Sequence, residues 1–462
     1  METGGRFARA ARRHAVVIRI IVIGIMVLAL LVPLLMVRAL VAEREQRRDA
    51  AQAEIIGAWG GAQTLAGPIL TVPYVARIPG ANGIPVDTVQ LASFLPDALV
   101  VEGEVLPETR RRGIYEAALY TASLAISGVF HPPDFSGWQV SPKNILWDDA
   151  VLSLELPDMR AILDRVTLSW GSVRSEFGPG KGTAGLFAGE IKAGVRGLRG
   201  TDDIPFALNL RLHGGGSITF LPLGGETTVR LESPWKSPSF SGSYLPSSRS
   251  LSERGFEAEW KVISMARAYP QRWRQGEIEP SAVLGSGFGV DFMAPVDTYL
   301  KVTRALTYAA LFLLLPFGTL FLLEVFSSRR LHPLHYLLVG LANCLFYLLL
   351  LSLSEHIAFD PAYAIASAAS AGLITVYTIA VMKSWRRGIA ILPVLAAEYA
   401  FLAVVLRSED FALLMGSVGL FLILAAVMLF TRNVNWYGMG FRRPRAERQG
   451  VPASLEGPDT GD

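Results

Sequence analysis

Cysteine is almost absent from this chain: Cys344 is the only one in 462 residues. No intramolecular disulfide can form, and no cysteine-based metal site can be assembled. Any soluble portion must therefore be stable by burial alone, which a segment of about 250 residues achieves without staples. An excess of one charge is missing too, since 43 Lys and Arg stand against 40 Asp and Glu for a net charge of +3. The basic residues cluster at the ends of apolar runs, where they set membrane orientation, so nucleic acid is excluded as a partner. No internal repeat of about 20 to 50 residues is evident, which argues against a solenoid or propeller.

Long apolar runs are what the chain does have. Hydrophobic residues make up 51% of it and charged residues 18%, too many charges for a wholly embedded protein. A hydrocarbon core roughly 30 Å thick needs about twenty apolar residues in a helix. Six such runs are legible: Ile20 to Val37, Leu306 to Val325, Leu334 to Leu353, Ala362 to Val381, Ile389 to Leu406 and Phe411 to Phe430. Arg6, Arg9, Arg12 and Arg13 precede the first. Arg329 and Arg330, then Lys383, Arg386 and Arg387, then Arg432, Arg442, Arg443 and Arg445 fall on alternate hinges. The opposite hinges hold Ser354, Glu355, His356 and Asp360, and Arg407, Glu409 and Asp410. By the positive-inside rule both termini are expected in the cytoplasm. The first run spans 18 residues, longer than the about 7 to 15 of a signal peptide core, so it reads as an uncleaved anchor. Pro33 is expected to kink it near its outer end.

Between the first and second runs the pattern changes to a period of two. Tyr120, Ala122, Leu124 and Ile126 alternate with Thr121, Ser123, Ala125 and Ser127. The same alternation recurs at Phe206, Leu208, Leu210 and Leu212, and at Phe256, Ala258, Trp260 and Val262. Half-buried strands of an antiparallel sandwich or stacked-sheet domain follow. Gly214 to Gly216 and the Gly224–Gly225 pair read as hairpin turns. Glu43 to Ile56 reads as a charged helical continuation of the first span, and Val262 to Arg274 as a short helix.

The expected domains are residues 1–42, a basic N-terminus and first span; 43–297, an extracytoplasmic β-rich domain; 298–437, a five-helix bundle; and 438–462, a polar tail without fixed structure. The fold class is thus a polytopic α-helical membrane protein of six spans, with a large, mainly β extracytoplasmic domain inserted between helices 1 and 2.

Several ordered blocks resemble the CreD family of bacterial inner-membrane proteins. They are FLPDALVVEGEVLPETRRRGIYEAALYTASLAISGVF (Phe94 to Phe130), SPWKSPSFSGSYLPSSRSLSERGFEAEW (Ser233 to Trp260) and His332 to Phe359. AGPILTVPY, FGVDFMAPVDTYLKVTRALTYA and TRNVNWY add to them, so the resemblance spans nearly the whole chain. It implies the bacterial inner membrane, a part in cell-envelope integrity and stress or colicin tolerance, and expression under a two-component system. It implies no molecular activity. Asp158 to Ile162 departs from the family's D-x-R-G-I element by having Ala161, and His335 stands where the family usually has a neutral amide.

Arg110, Arg111 and Arg112 abut Gly113 and Tyr115. Such a cluster can hold phosphate, carboxylate or a lipid headgroup, and surface salt bridging is an equal competitor. The resemblance adds weight to Arg110, Arg112, Gly113 and Tyr115 as candidate binding residues. Ser354, Glu355 and His356 have the residue types of a catalytic triad, but neighbours on a helix point about 100° apart. Glu355 and His356, with Arg304, are instead candidates for coupling at the membrane surface. Asn343 and Glu398 fall near mid-depth in apolar runs and are the candidate intramembrane polar residues. Arg304 and Glu324 lie near opposite ends of the second run and can snorkel to their interfaces. His332 and His335 lack a third ligand and sit at a helix start, so no metal site is assigned. Gly178 to Thr183 has the wrong spacing for a phosphate loop and reads as an exposed flexible loop. Trp235, Phe240, Tyr244 and Phe256 read as core aromatics.

The expected function is non-enzymatic: binding or coupling in the envelope through the outer domain, with membrane lipids and an envelope component as partners and no cofactor. The alternative is a transporter of a small or lipidic substrate that uses the bundle.

Overall fold

The computed structural model describes residues 15–79, 85–292, 298–327, 331–408 and 412–432. The expected tail (438–462) and the hinge residues Arg329, Arg330, Glu409 and Asp410 lie outside the described residues, as do Arg6, Arg9, Arg12 and Arg13. The chain divides into two compact units: Glu43–Asp297, and Met1–Ala42 with Thr298–Asp462.

Helix α1 runs from Ala15 to Ala58 with Pro33 inside it. Its second part carries the Glu-, Arg- and Ala-rich stretch read as helical from composition. The Glu43–Asp297 unit then builds two sheets. One contains β1 (Gln63–Pro79), β2 (Pro85–Phe94), β5 (Val151–Leu156), β8 (Gly178–Gly180), β9 (Gly189–Gly194), β11 (Ser217–Phe220), β13 (Pro238–Gly242), β16 (Arg272–Arg274) and β17 (Phe288–Phe292). The other contains β3 (Ala98–Arg112), β4 (Tyr115–Phe130), β6 (Thr167–Trp170), β7 (Val173–Glu176), β10 (Ile204–Gly215), β12 (Glu226–Ser233), β14 (Ser248–Ser252) and β15 (Gly255–Ile263). Their order across the sheet is β14-β15-β12-β3-β4-β10-β6-β7. Most pairings are antiparallel, as the alternation predicts, but β1–β11 and β3–β12 are parallel.

The three alternating runs are β4, β10 and β15, and their apolar phase enters one core shared by both sheets. Tyr120, Ala122, Leu124 and Ile126 are all buried, as are Leu210 and Trp260. Trp235, Phe240 and Tyr244 pack against the same core, and Phe256 is part of it.

Two local expectations fail. Gly214 to Gly216 does not close a hairpin: Gly214 and Gly215 stay in β10, opposite Tyr120 and Leu119 of β4. A Cβ on Gly214 would lie 2.3 Å from the Tyr120 ring, so glycine there makes room for an aromatic neighbour. Gly216, at φ +77°, then carries the chain into β11 of the other sheet. Gly224 and Gly225 likewise precede β12, which pairs with β3 and β15 and not with β11. Val262 to Arg274 is not a helix; it holds the end of β15, a single 3-10 turn at Ser264–Ala266, and β16. A short helix, α2 (Pro280–Leu284), comes before β17.

The second unit contains α3 (Thr298–Thr307), α4 (Ala309–Ser327), α5 (Pro333–Ser354), α6 (Phe359–Met382), α7 (Trp385–Gly388), α8 (Leu392–Arg407) and α9 (Ala412–Thr431). Its core joins Leu30, Leu34, Val37 and Val41 of α1 to Phe312, Phe317, Tyr336, Phe346, Leu395 and Leu402 of the later helices. Gly340 allows the close packing, since a Cβ there would lie 2.2 Å from Leu30 and 2.8 Å from Phe317.

The expectation of six spans is not met. Among the described residues four helical stretches are long and apolar enough to cross a membrane: Ile21–Ala58, Pro333–Ser354, Phe359–Met382 and Trp385–Arg407. A fifth arises only if α3 and α4, bent by 47° at their junction, count as one span. The apolar run Leu306 to Val325 straddles that break, which its composition does not reveal. In the last run the stretch Leu414–Ala425 of α9 is apolar but is not among these candidates.

Candidate functional site

The arginine run sits at the tip of the β3–β4 hairpin. Arg112 pairs with Tyr115 across a two-residue turn whose first member, Gly113, has φ +62°, the geometry in which glycine is preferred at the first central position. Each guanidinium has an acidic partner. Arg110 Nε donates to Glu108 at 2.9 Å, Arg111 pairs with Glu116, and Arg112 pairs with Glu54 of α1. The Arg110 guanidinium also lies 3.7 Å from the centre of the Trp59 ring. Trp59 in turn packs on His213 at 4.0 Å, whose Nδ1 is 3.2 Å from Thr121 Oγ1. Burial and the nearby Arg110 charge lower the His213 pKa. Gln52 of α1 adds a 2.7 Å bond to the Glu116 carbonyl. The cluster thus fastens the end of α1 to the hairpin, and its ion pairs are solvent-exposed and individually weak.

Ser354, Glu355 and His356 diverge. Ser354 Oγ donates to the Leu351 carbonyl at 3.0 Å, Glu355 accepts from the Tyr299 hydroxyl at 3.1 Å, and His356 Nδ1 donates to the Ser352 carbonyl at 3.0 Å. Arg304 lies on α3, the helix that also supplies Tyr299. His332 caps α5 by accepting from the Leu334 amide, and His335 bonds the Tyr377 hydroxyl at 2.7 Å. No cluster of three or more metal-ligating side chains occurs among the described residues.

Asn343 and Glu398 are both buried inside the helical unit, and Tyr399, the residue after Glu398, reaches Asn343. The Asn343 amide donates to the Phe312 carbonyl and accepts from the Tyr399 hydroxyl at 3.3 Å. Tyr363 donates to the Tyr399 carbonyl at 2.6 Å. Phe346 packs on Tyr347 and on Tyr399 at 4.9 Å. These tyrosines were not singled out from sequence, where they merge with the apolar runs. Glu324 does not snorkel. It is buried and takes an ion pair from Arg19 and a 3.0 Å bond from the Tyr336 hydroxyl. Arg19, immediately before the first apolar run, was the available signal.

The glycine-rich loop after β8 is tied down, contrary to the flexible-loop expectation. Glu155 of β5 is fully buried, and its carboxylate accepts four consecutive amides: Ala184 at 2.7 Å, Gly185 at 3.1 Å, and Leu186 and Phe187 at 2.8 Å. Glu190, opposite Glu155 on β9, accepts the Thr183 amide at 3.0 Å. The loop therefore wraps an anion supplied by its own domain, an arrangement hidden in sequence because Glu155 lies 29 residues before the first amide it binds. Burial raises the Glu155 pKa, and the amides oppose the shift without cancelling it.

An open groove of about 580 Å³ crosses the polar face of β3, β12, β15 and β14. Arg230 there bridges Glu102 at 3.3 Å and Glu259 at 3.4 Å. In the adjacent row Glu232 stands directly between Glu104 and Glu257 in register. Like charges directly opposite one another cost stability, and no ion pair reaches this row among the described residues, whereas Arg230 bridges both acids of its neighbour; Arg249 and Arg254 line the same face.

A family model described as "Inner membrane protein CreD" matches residues 15–437. The chain belongs to the CreD family. It is 30% identical to the inner membrane protein CreD of Escherichia coli (strain K12) over 418 residues, covering 90% of this chain and 92% of that one. Inner-membrane residence and a multi-pass architecture follow. A putative protease from Parabacteroides distasonis, compared by structure, is 9% identical with a TM-score of 0.21, covering 54% of this chain and 50% of that one; so low a score carries no argument. At the point where this CreD chain departs from the D-x-R-G-I element, Asp158 accepts from the Arg160 amide at 2.9 Å and opens a 3-10 turn. Ala161 is buried and its backbone lies outside the left-handed region, so the turn does not require glycine there.

Proposed function

We propose that this protein supports cell-envelope integrity, including stress or colicin tolerance, without catalysing a reaction, by binding and coupling through its Glu43–Asp297 domain. The domain lies on the extracytoplasmic face, since Arg6, Arg9, Arg12 and Arg13 precede the first span and favour a cytoplasmic N-terminus. The observation that carries the reading is the groove with its row of three facing acids, Glu104, Glu232 and Glu257, none of which has an ion pair among the described residues. Removing carboxylates from a stable sheet face is easy, and local rules broken on a surface are the mark of a binding site. The partner is an envelope component that presents positive charge, with membrane lipids around the helices. The divergence of Ser354, Glu355 and His356 supports the non-enzymatic assignment. Expression under a two-component system is a family-level expectation that suits a stress role.

The test is complementation of a null strain with the triple variant Glu104→Gln, Glu232→Gln and Glu257→Gln, scored by colicin tolerance at equal membrane abundance. Loss of tolerance is expected. Full tolerance would remove the groove from the mechanism.

A further inference from the structure

Among the described residues of the helical unit two acids are buried, and only one of them is compensated. Glu324 has Arg19 and the Tyr336 hydroxyl. Glu398 is 4% exposed, and neither of its carboxyl oxygens has a hydrogen-bond partner. The titratable side chains that face it are Tyr347 on α5, Tyr363 on α6 and Tyr399 beside it on α8. No donor, basic or neutral, reaches its carboxyl oxygens among the described residues. Asn343 is already engaged at both ends, with Phe312 and Tyr399, and the Tyr347 hydroxyl is buried without a partner as well.

A carboxylate in this setting has neither a donor nor a counter-charge, and an apolar interior penalises such an ion heavily. A metal ion would need a ligand set that phenylalanine and tyrosine rings do not supply. A proton needs only one carboxyl oxygen. We propose that Glu398 is a proton-binding site inside the helical bundle, with Tyr347, Tyr363 and Tyr399 as its polar surround. Proton loss would place a bare charge among α5, α6 and α8, so the packing of these helices responds to occupancy. This site stands independently of the β-domain groove.

Infrared difference spectroscopy of the full-length protein in liposomes, wild type minus Glu398→Gln, reads the site directly. At neutral pH the expected difference is the carbonyl band of a protonated acid; the paired bands of a carboxylate would overturn the proposal. A second arm needs no variant: a membrane-soluble carbodiimide. The carboxyl proton passes to a carbodiimide nitrogen as the carboxyl oxygen bonds to the central carbon. Acyl migration to nitrogen then leaves a stable N-acylurea, located by mass spectrometry. Modification of Glu398 is expected, falling several-fold as the pH is raised, with ion-paired Glu324 spared. Modification of Glu324 with Glu398 untouched would overturn the proposal.

Discussion

Replacing Glu155 with alanine tests the loop cradle most severely. The change leaves the amides of Ala184, Gly185, Leu186 and Phe187 without their acceptor. An orphaned buried donor costs about 1–3 kcal/mol, but Gly185 is exposed and Ala184 and Phe187 are partly so, which lets water replace some of the loss. Alanine also relieves the desolvation that burial imposes on the carboxylate, as the raised pKa of Glu155 records. A net destabilisation of about 2–4 kcal/mol results from these opposed contributions. Glu155→Gln keeps one acceptor oxygen and turns an amide group towards the remaining donors, so it should fall between wild type and alanine. Hydrogen exchange on the full-length protein in detergent, read over residues 183–187, should accelerate in both variants, with the thermal midpoint lowered in the same order. If the alanine variant melted like wild type and its loop amides exchanged as slowly, the cradle would contribute nothing to stability and the reasoning would fail.

Gly128→Val should destabilise the β domain by about 1–3 kcal/mol or more, because a Cβ there would lie 2.0 Å from the Ala98 carbonyl and 2.8 Å from the Phe206 ring; Gly137→Ala, with nothing near its Cβ position but φ +84°, separates crowding from backbone strain in a paired melting experiment. A double-mutant cycle on Trp59→Ala and Arg110→Ala should return a coupling of about 0.5–1 kcal/mol, and zero coupling would deny the ring contact any energetic role. The pKa of His131 is raised, chiefly by its hydrogen bond to Asp203. The stability it contributes is therefore present below the unfolded-state value of about 6.5 and lost as pH rises through the folded-state value. His131→Gln should flatten that slope in melts taken across this range, while an unchanged slope would assign it to other groups.

Much of the β domain was legible because its strands obey a period of two. In β4, β10 and β15 the apolar phase that can be read from the residues is the phase that enters the core. The features that escaped depend on residues far apart in the chain. Glu155 looks like an acid misplaced in an apolar strand until the 184–187 loop folds over it. Gly214 and Gly215 carry a turn signature, yet their lack of side chains serves to receive Tyr120 and Leu119. Composition finds apolar length but not direction, so the bend between α3 and α4 and the count of spans could not be read from it. At the candidate sites, residue identity marked Asn343 and Glu398 as polar residues within apolar runs, and both are buried in the helical unit. The Arg110–Arg112 run instead proved to be matched by Glu108, Glu116 and Glu54, the last of which lies on α1 some distance away in sequence.

A role in the envelope requires the β domain to lie beyond the cytoplasmic face. Ser250, exposed on β14, changed to cysteine in a Cys344→Ala background gives a chain with one thiol. A membrane-impermeant maleimide applied to intact spheroplasts should label it without permeabilisation. Labelling only after the membrane is breached would place the domain in the cytoplasm and contradict the account.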